Sequence, residues 1–303
     1  MTAESFEPHR RRLLGLAYRM LGSMADAEDA VQETYLRWHA ADRDNVTDPR
    51  AFLMTTTTRI CLDMLTSARA RHETYVGPWL PEPVFDTAAL APDRHTELAE
   101  DLSIALLLTL DRLSPLERAA FLLHDVFDFS FTEVAATLER SEAACRKLAT
   151  RAREHVRALR PRGATSPPAR MGEVDPKHAQ LLSAFGAATR SGDLNALTQL
   201  LASDVRIVTD GGGKVRAALE VIDGADRAAR FLVEVTRKRP DQWWRDDFRV
   251  RLATVNGLPG VVVEGSEGPV QTSAFEIEGD VIRAMYVVRN PDKLRHLAAP
   301  RRS

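Results

Sequence analysis

Apolar positions in the first half of the chain recur at three- and four-residue intervals, the period of helices with one buried face. From Ser23 to about His39 this places Ala27, Val31, Thr34, Tyr35 and Trp38 on one side, with Asp26, Asp29 and Glu33 opposite. Ser23 followed three residues later by Asp26 marks the start. Asp48 as N-cap and Pro49 at the first helical position predict a second helix through AFLMTTTTRICLDMLTSARARHE. Ser114-Pro115-Leu116-Glu117 and Ser130…Glu133 are two capping boxes, the latter opening the short helix FTEVAATL. After a break at Glu139-Arg140, Ser141 caps a longer helix to about Arg160, its apolar stripe made of Leu148, Ala152, Val156 and Leu159. Beyond residue 204 the period shortens to two. The runs DVRIVTD, PGVVVEG, QTSAFEI and DVIRAMYVV, punctuated by Asn256-Gly257 and Gly279-Asp280, predict an antiparallel sheet, with helical patterns at 178–190 and 224–237.

Two proline-rich stretches, Gly77–Pro92 and Pro161–Pro176, divide the chain, because proline fixes φ and removes a donor. The expected organisation is an all-α block at 1–76, a linker at 77–95, a second all-α block at 96–160, a linker at 161–176, an α+β domain at 177–296 and a tail at 297–303.

Charge changes this picture only locally. Lys+Arg 41 against Asp+Glu 43 in 303 residues excludes a uniformly basic nucleic-acid coat. Yet Ser141–Arg162 holds seven basic and two acidic residues. A short helix, a tight turn and a longer helix with basic free faces form a helix-turn-helix arrangement, which reads duplex DNA with its second helix. So few cations imply weak DNA affinity unaided, hence a partner. Cys61 and Cys145 lack metal or disulfide spacing, and no apolar run suits a membrane span or signal peptide, so a cytoplasmic protein without metal or cofactor is expected. By itself the carboxylate stripe fits a solvated face as well as a binding face. The run Thr55–Thr58 is poor for helix propensity and unexpected on a purely structural surface.

These residues carry a resemblance. YRMLGSMADAEDAVQETYLRW resembles the polymerase-binding helices of sigma domain two, DPRAFLMTTTTRICLDMLTSAR its promoter-melting segment, and LSPLERAAFLLHDVFDFSFTEVAATLERSEAACRKLATRAREHVR sigma domain four. With no recognisable domain three between them, the pattern is that of the extracytoplasmic-function bacterial sigma factors. WLPEP (79–83), DGGGK (210–214) and NPDKL (290–294) are similar to signature peptides of the subgroup carrying a SnoaL-like C-terminal extension, a cone-shaped, NTF2-like barrel.

The resemblance implies core RNA polymerase and promoter DNA as partners. Asp26, Asp29, Gln32 and Glu33 would meet the β′ clamp helices, and the second helical block the β flap. Arg50, Thr58, Arg59 and Asp63 would contact the −10 element as single strand, where small hydroxylated and basic side chains suit an extruded base and its phosphates. Ser141, Arg146, Lys147, Arg151 and Arg153 would read the −35 element. Ala143-Ala144-Cys145 offer few base-edge donors, which shifts specificity toward DNA shape.

Some SnoaL-like relatives are cyclases using a pocket carboxylate. Asp210, Asp223, Asp226, Glu264, His178 and Tyr286 are the candidates here, but turn and cap roles account for the aspartates, and no catalysis is expected. The expected role is regulatory. Gly211–Gly213 allow close backbone approach and Lys214 can pair with a carboxylate. The DGGGK turn is expected to dock on domain two or on the linker peptide Trp79-Leu80-Pro81-Glu82-Pro83. Asn290, Pro291, Asp292, Lys293 and Leu294 would brace the barrel, in place of a separate anti-sigma protein. Whether the barrel holds a small ligand stays open. A rival reading, a one-component helix-turn-helix regulator with a ligand-sensing barrel, leaves the acidic helix and the Asp48–Arg71 segment without a role.

Overall fold

The computed structural model describes residues 5–42, 46–72, 75–85, 90, 102–159, 174–238 and 247–298, with backbone only for 67–72 and 159. The second linker up to residue 173, most of 86–95, the end of the tail and the side chains of Arg69 and Arg71 therefore lie outside the described residues. The chain forms two compact units: 1–74 with 86–161, and 75–85 with 162–303.

The first unit is helical: α1 (Glu7–Leu21), α2 (Met24–Ala40), α3 (Pro49–His72), α4 (Ile104–Asp111), α5 (Pro115–Phe121) running into a π-helical turn (Leu122–Val126), α6 (Phe131–Leu138) and α7 (Glu142–Leu159). The expected starts are present. The Ser23 hydroxyl accepts from Asp26 N, Asp48 Oδ1 from Ala51 N, and both capping boxes close at Ser114–Glu117 and Ser130–Glu133. Glu139 ends α6 in the left-handed conformation (φ 54°), which makes the tight turn before α7. Cys145, Ala149, Ala152 and Val156 form the buried stripe of α7.

The two helical blocks share one core and polar bonds that cross between them. Buried Arg118 of α5 donates to Met20 O at the end of α1 and to Asp111. Arg19 of α1, 1% exposed, donates to Leu90 O at 2.8 Å. A Cβ on Gly15 would lie 2.2 Å from that same oxygen, so the close seating of Leu90 on α1 requires glycine there.

The second unit contains α8 (Pro176–Ser191), α9 (Leu194–Leu200), α10 (Ala225–Lys238), α11 (Pro291–Leu294) and a six-stranded sheet. Its strands are β1 (Leu201–Asp210), β2 (Ile222–Asp223), β3 (Arg249–Val255), β4 (Leu258–Gly265), β5 (Gly268–Glu278) and β6 (Val281–Val288), in the order β2-β1-β6-β5-β4-β3. Strand β3 was not among the expected strands. The sheet is not wholly antiparallel: β1 pairs with β6 in parallel, Asp210 opposite Val288. That is possible because β1 and β6 are separated by the rest of the domain, so no hairpin dictates their direction. Helices α8–α10 cover one face, where Phe185 packs edge-on against Phe275 within the core.

Candidate functional sites

On α2, Asp29 and Gln32 are exposed and Asp26 and Glu33 half-buried. Glu33 pairs with Arg37 at 2.9 Å one turn on. The buried side of α2 carries Ala27, Val31 and Trp38, so the acidic stripe does face outward, with exposed Leu36 beside it.

The threonine run of α3 has a structural explanation. Thr56, Thr57 and Thr58 return their hydroxyls to the carbonyls four residues back, and Thr57 also pairs with Thr34 of α2 at 2.9 Å. Thr58 is fully buried, its hydroxyl donating to Met54 O, so in this structure the side chain expected to meet DNA is turned inward onto its own helix. Asp63 is exposed. Arg50 and Arg59 are engaged by the second helical block. Arg50 donates to Phe127 O at 3.1 Å, and Arg59 to Thr137 O (3.1 Å) and Ala136 O (3.2 Å) and to the Glu139 carboxylate (3.1 Å). Thr55 bonds Thr137 hydroxyl to hydroxyl at 2.9 Å. Arg12 of α1 shares Phe127 O at 2.7 Å. Thr55 stood out in sequence only as part of the threonine run, and Arg12 and the acceptors on the other block carried no signal, because their partners lie 77 or more residues away.

On α7, Ser141 caps through Ala144 N. Arg146, Lys147 and Arg151 are exposed. Arg146 bonds Glu142 at 2.8 Å and lies over the Phe131 ring, while Arg153 pairs with Asp125 at 2.8 Å, tying α7 to the π-helical turn. The Thr132 hydroxyl and Arg146 together hold the Glu142 carboxyl below its usual range. Ala143, Ala144 and Cys145 leave the start of this helix without long donors, and burial raises the Cys145 thiol.

In the second unit the three signature peptides meet. Asp210, fully buried at the end of β1, accepts from Tyr75 Oη at 2.5 Å, Leu80 N at 2.8 Å and Lys293 Nζ at 2.7 Å. Lys293 also donates to Leu80 O and sits over the rings of Trp79 (4.3 Å) and Tyr75 (4.9 Å). Asn290 donates to Tyr75 Oη at 2.9 Å, and Lys214 pairs with Asp292. A Cβ on Gly212 (φ 59°) would lie 2.2 Å from the Asn290 amide nitrogen, which explains a glycine where the turn meets NPDKL. The far end of the peptide is fastened too. Asn256 exchanges two bonds with Val84, His296 bonds Pro83 O at 2.8 Å, and Arg251 covers Phe85. Pro81, Glu82 and Pro83 are buried. Residues 75–85 are thus a strap integrated into this unit, touched by the aspartate of DGGGK at Leu80 N. Tyr75, Asn256 and His296 were missed. Asn256-Gly257 reads as a hairpin turn from sequence, and that turn use hides the second role. Burial and the Asp210 carboxylate push the Tyr75 phenol upward.

Most of the candidate catalytic groups sit in local pairs. Asp210 is saturated, Asp223 pairs with Arg206, Glu264 with Arg251, and Tyr286 bonds Glu276 at 2.9 Å. His178 and Asp226 lie in the first turns of α8 and α10. Among the described residues no group of three or more His, Cys, Asp and Glu could hold a metal, and no helix is long and apolar enough to cross a membrane.

The chain matches Sigma-70 region 2 over residues 6–71 and Sigma-70 region 4 over residues 103–156. It is 39% identical to the ECF RNA polymerase sigma factor SigJ of Mycobacterium tuberculosis, over 97% of this chain and 93% of that one. It is 30% identical to the probable ECF sigma factor SigI of the same organism, over 97% and 95%. The crystal structure of M. tuberculosis SigJ superposes with a TM-score of 0.71 at 35% identity, covering 96% of this chain and 97% of that one. Two helical sigma regions in order, followed by an α+β domain, make this chain a member of the extracytoplasmic-function sigma factors, which bind core RNA polymerase and promoter DNA.

Proposed function

We propose that this sigma factor is regulated in cis: its SnoaL-like domain restrains the helical domains by holding the strap at 75–85, and has no catalytic role. The observation that supports this is the buried Asp210–Lys293 pair closed around the strap, with DGGGK and NPDKL supplying both charges. A connection whose middle is fastened to a third domain cannot let domains two and four move independently of it. The outward acidic residues Asp26, Asp29, Gln32 and Glu33 then serve the β′ clamp helices. Domain four meets the β flap, and Ser141, Arg146, Lys147, Arg151 and Arg153 read the −35 element. Arg50, Arg59 and Asp63 face the −10 strand. Polymerase as partner places the protein in the cytoplasm. A separate anti-sigma protein is unnecessary under this reading, and it needs no small ligand.

Run-off transcription with purified core polymerase tests it. Lys293→Met and Gly212→Val should release the strap, read as faster proteolysis within 75–85, and raise transcript yield several-fold. Variants with a demonstrably released strap and wild-type yield would end the regulatory reading.

A further inference from the structure

We propose that closing the strap takes up a proton, held between His296 and Glu82, so that acid tightens the strap and alkali loosens it. The inference rests on the proposed reading of residues 75–85 as the restraint. His296 lies in the short 3₁₀ turn Arg295–Leu297 that follows α11. Its Nε2 is 2.8 Å from Pro83 O, and its Nδ1 is 3.7 Å from Glu82 Oε2. A carbonyl oxygen only accepts, so Nε2 carries the hydrogen of that bond. In a neutral imidazole the other nitrogen is then a bare lone pair. It faces a carboxylate. Acceptor against acceptor is repulsive, and water screens the pair little. The backbone of His296 is at the surface, but its side chain is 23% exposed and that of Glu82 10%. One proton on Nδ1 reverses the sign: the imidazolium keeps its bond to Pro83 O and meets Glu82 as an ion pair. The same proton placed on Glu82 would donate to Nδ1, so the count of one holds for the pair as a unit.

The other charges around the ring have partners of their own. On α11 and the turn, Arg295 pairs with Asp292 at 3.0 Å, Asp292 with Lys214, and Lys293 with Asp210. Strand β5 meets the turn at Gly268, where a Cβ would lie 3.1 Å from Ala298. Its carboxylates Glu276 and Glu278 are at the far end of the strand, and Glu267 precedes it in the β4–β5 turn. On β3, Arg251 pairs with Glu264 and covers Phe85. Among the described residues the carboxylate within ion-pair reach of the ring is Glu82. Pro81 and Pro83 fix the backbone on both sides of it. When the strap lifts, both groups return to water and the shared proton is no longer required. The hold is therefore complete below the ordinary histidine value, about 6.5, and is lost as pH rises and the proton leaves the closed pair.

Hydrogen exchange in the full-length chain tests it. The Leu80 and Val84 amides donate to Asp210 and Asn256, so their protection, corrected for the intrinsic exchange rate, reports strap opening. Between about pH 6 and about pH 8 that protection should fall about fivefold or more. In Glu82→Gln the side-chain amide donates to Nδ1 with no added proton, so protection should stay high and level over the range. His296→Gln keeps a donor for Pro83 O and should be level too. Wild-type protection that is level over the range overturns the inference, and so does a Glu82→Gln chain as steep as wild type. The wild-type arm needs no variant, so the test survives a substitution that prevents folding. Strap-released Lys293→Met and Gly212→Val chains with wild-type transcript yield would refute the restraint, while leaving the proton linkage of the wild-type strap intact.

Discussion

Two polar seams hold this molecule's parts, and they are built differently. Around Asp210 a fully buried carboxylate meets an ammonium, a phenol and a backbone amide, with two aromatic rings closing over the cation. Between α3 and α6 the partners are a hydroxyl pair and a guanidinium on backbone carbonyls, and the Arg59 and Glu139 side chains stay 45% and 74% exposed. Breaking the first leaves a charge without water. Breaking the second returns each group to solvent. The difference is one of desolvation: Asp210 and Lys293 are both buried, whereas the ions Arg59 and Glu139 keep their water.

The largest effect should come from removing one partner of the desolvated seam. Lys293→Met leaves the Asp210 carboxylate buried and uncompensated, a loss of about 3–5 kcal/mol, measured by urea unfolding of the second unit. Next is Gly212→Ala. Its Cβ falls 2.2 Å from the Asn290 amide and its φ is 59°, so a cost of about 1–3 kcal/mol is expected on the same transition. In the α3–α6 seam, Thr137→Val removes one hydroxyl pair, worth about 1 kcal/mol. Hydrogen exchange should show α6 opening faster, while the second unit is unaffected.

The sharpest distinction is in pH. The Tyr75 phenol is raised in the folded chain by burial and by Asp210. A group raised above its unfolded value contributes stability that is complete below that value, about 10 for tyrosine, and is lost as pH rises through the folded one. The second unit should therefore weaken in alkali, and Tyr75→Phe should delete one late step from the phenolate absorbance titration. The smallest effect concerns Glu142, whose carboxyl is lowered by Thr132 and Arg146. Its contribution is present above the ordinary carboxylate value and lost as pH falls through the lowered one. Thr132→Val should move the Glu142 carboxyl resonance titration back toward its usual position.

What could be read in advance follows from the range of the forces involved. Caps at Ser23, Asp48, Ser114, Ser130 and Ser141 act within three or four residues, so the helix starts were legible. The acidic face of α2 and the basic face of α7 were legible for the same reason, through periodicity. Thr58 was misjudged because a hydroxyl in a helix can turn back to the carbonyl four residues earlier and go inward, and composition does not show which way it faces. The α3–α6 contact was invisible, since Thr55 and Thr137 are 82 residues apart. The strap was half visible: its peptides stood out as motifs, but Tyr75, Asn256 and His296 announce themselves only through the contacts they make.

The parallel pairing of β1 with β6 has a consequence for how this family can vary. Because both strands run the same way, Asp210 and Val288 end side by side, and the chain after each exits at one corner of the sheet. The glycine turn and the terminal peptide are thus brought together by ladder alignment, independent of how many residues separate them. Insertions between α8 and α9 should be harmless to the lock. Deletion of a single residue within either strand would swing aspartate and lysine to opposite sides of the sheet and undo it at a stroke.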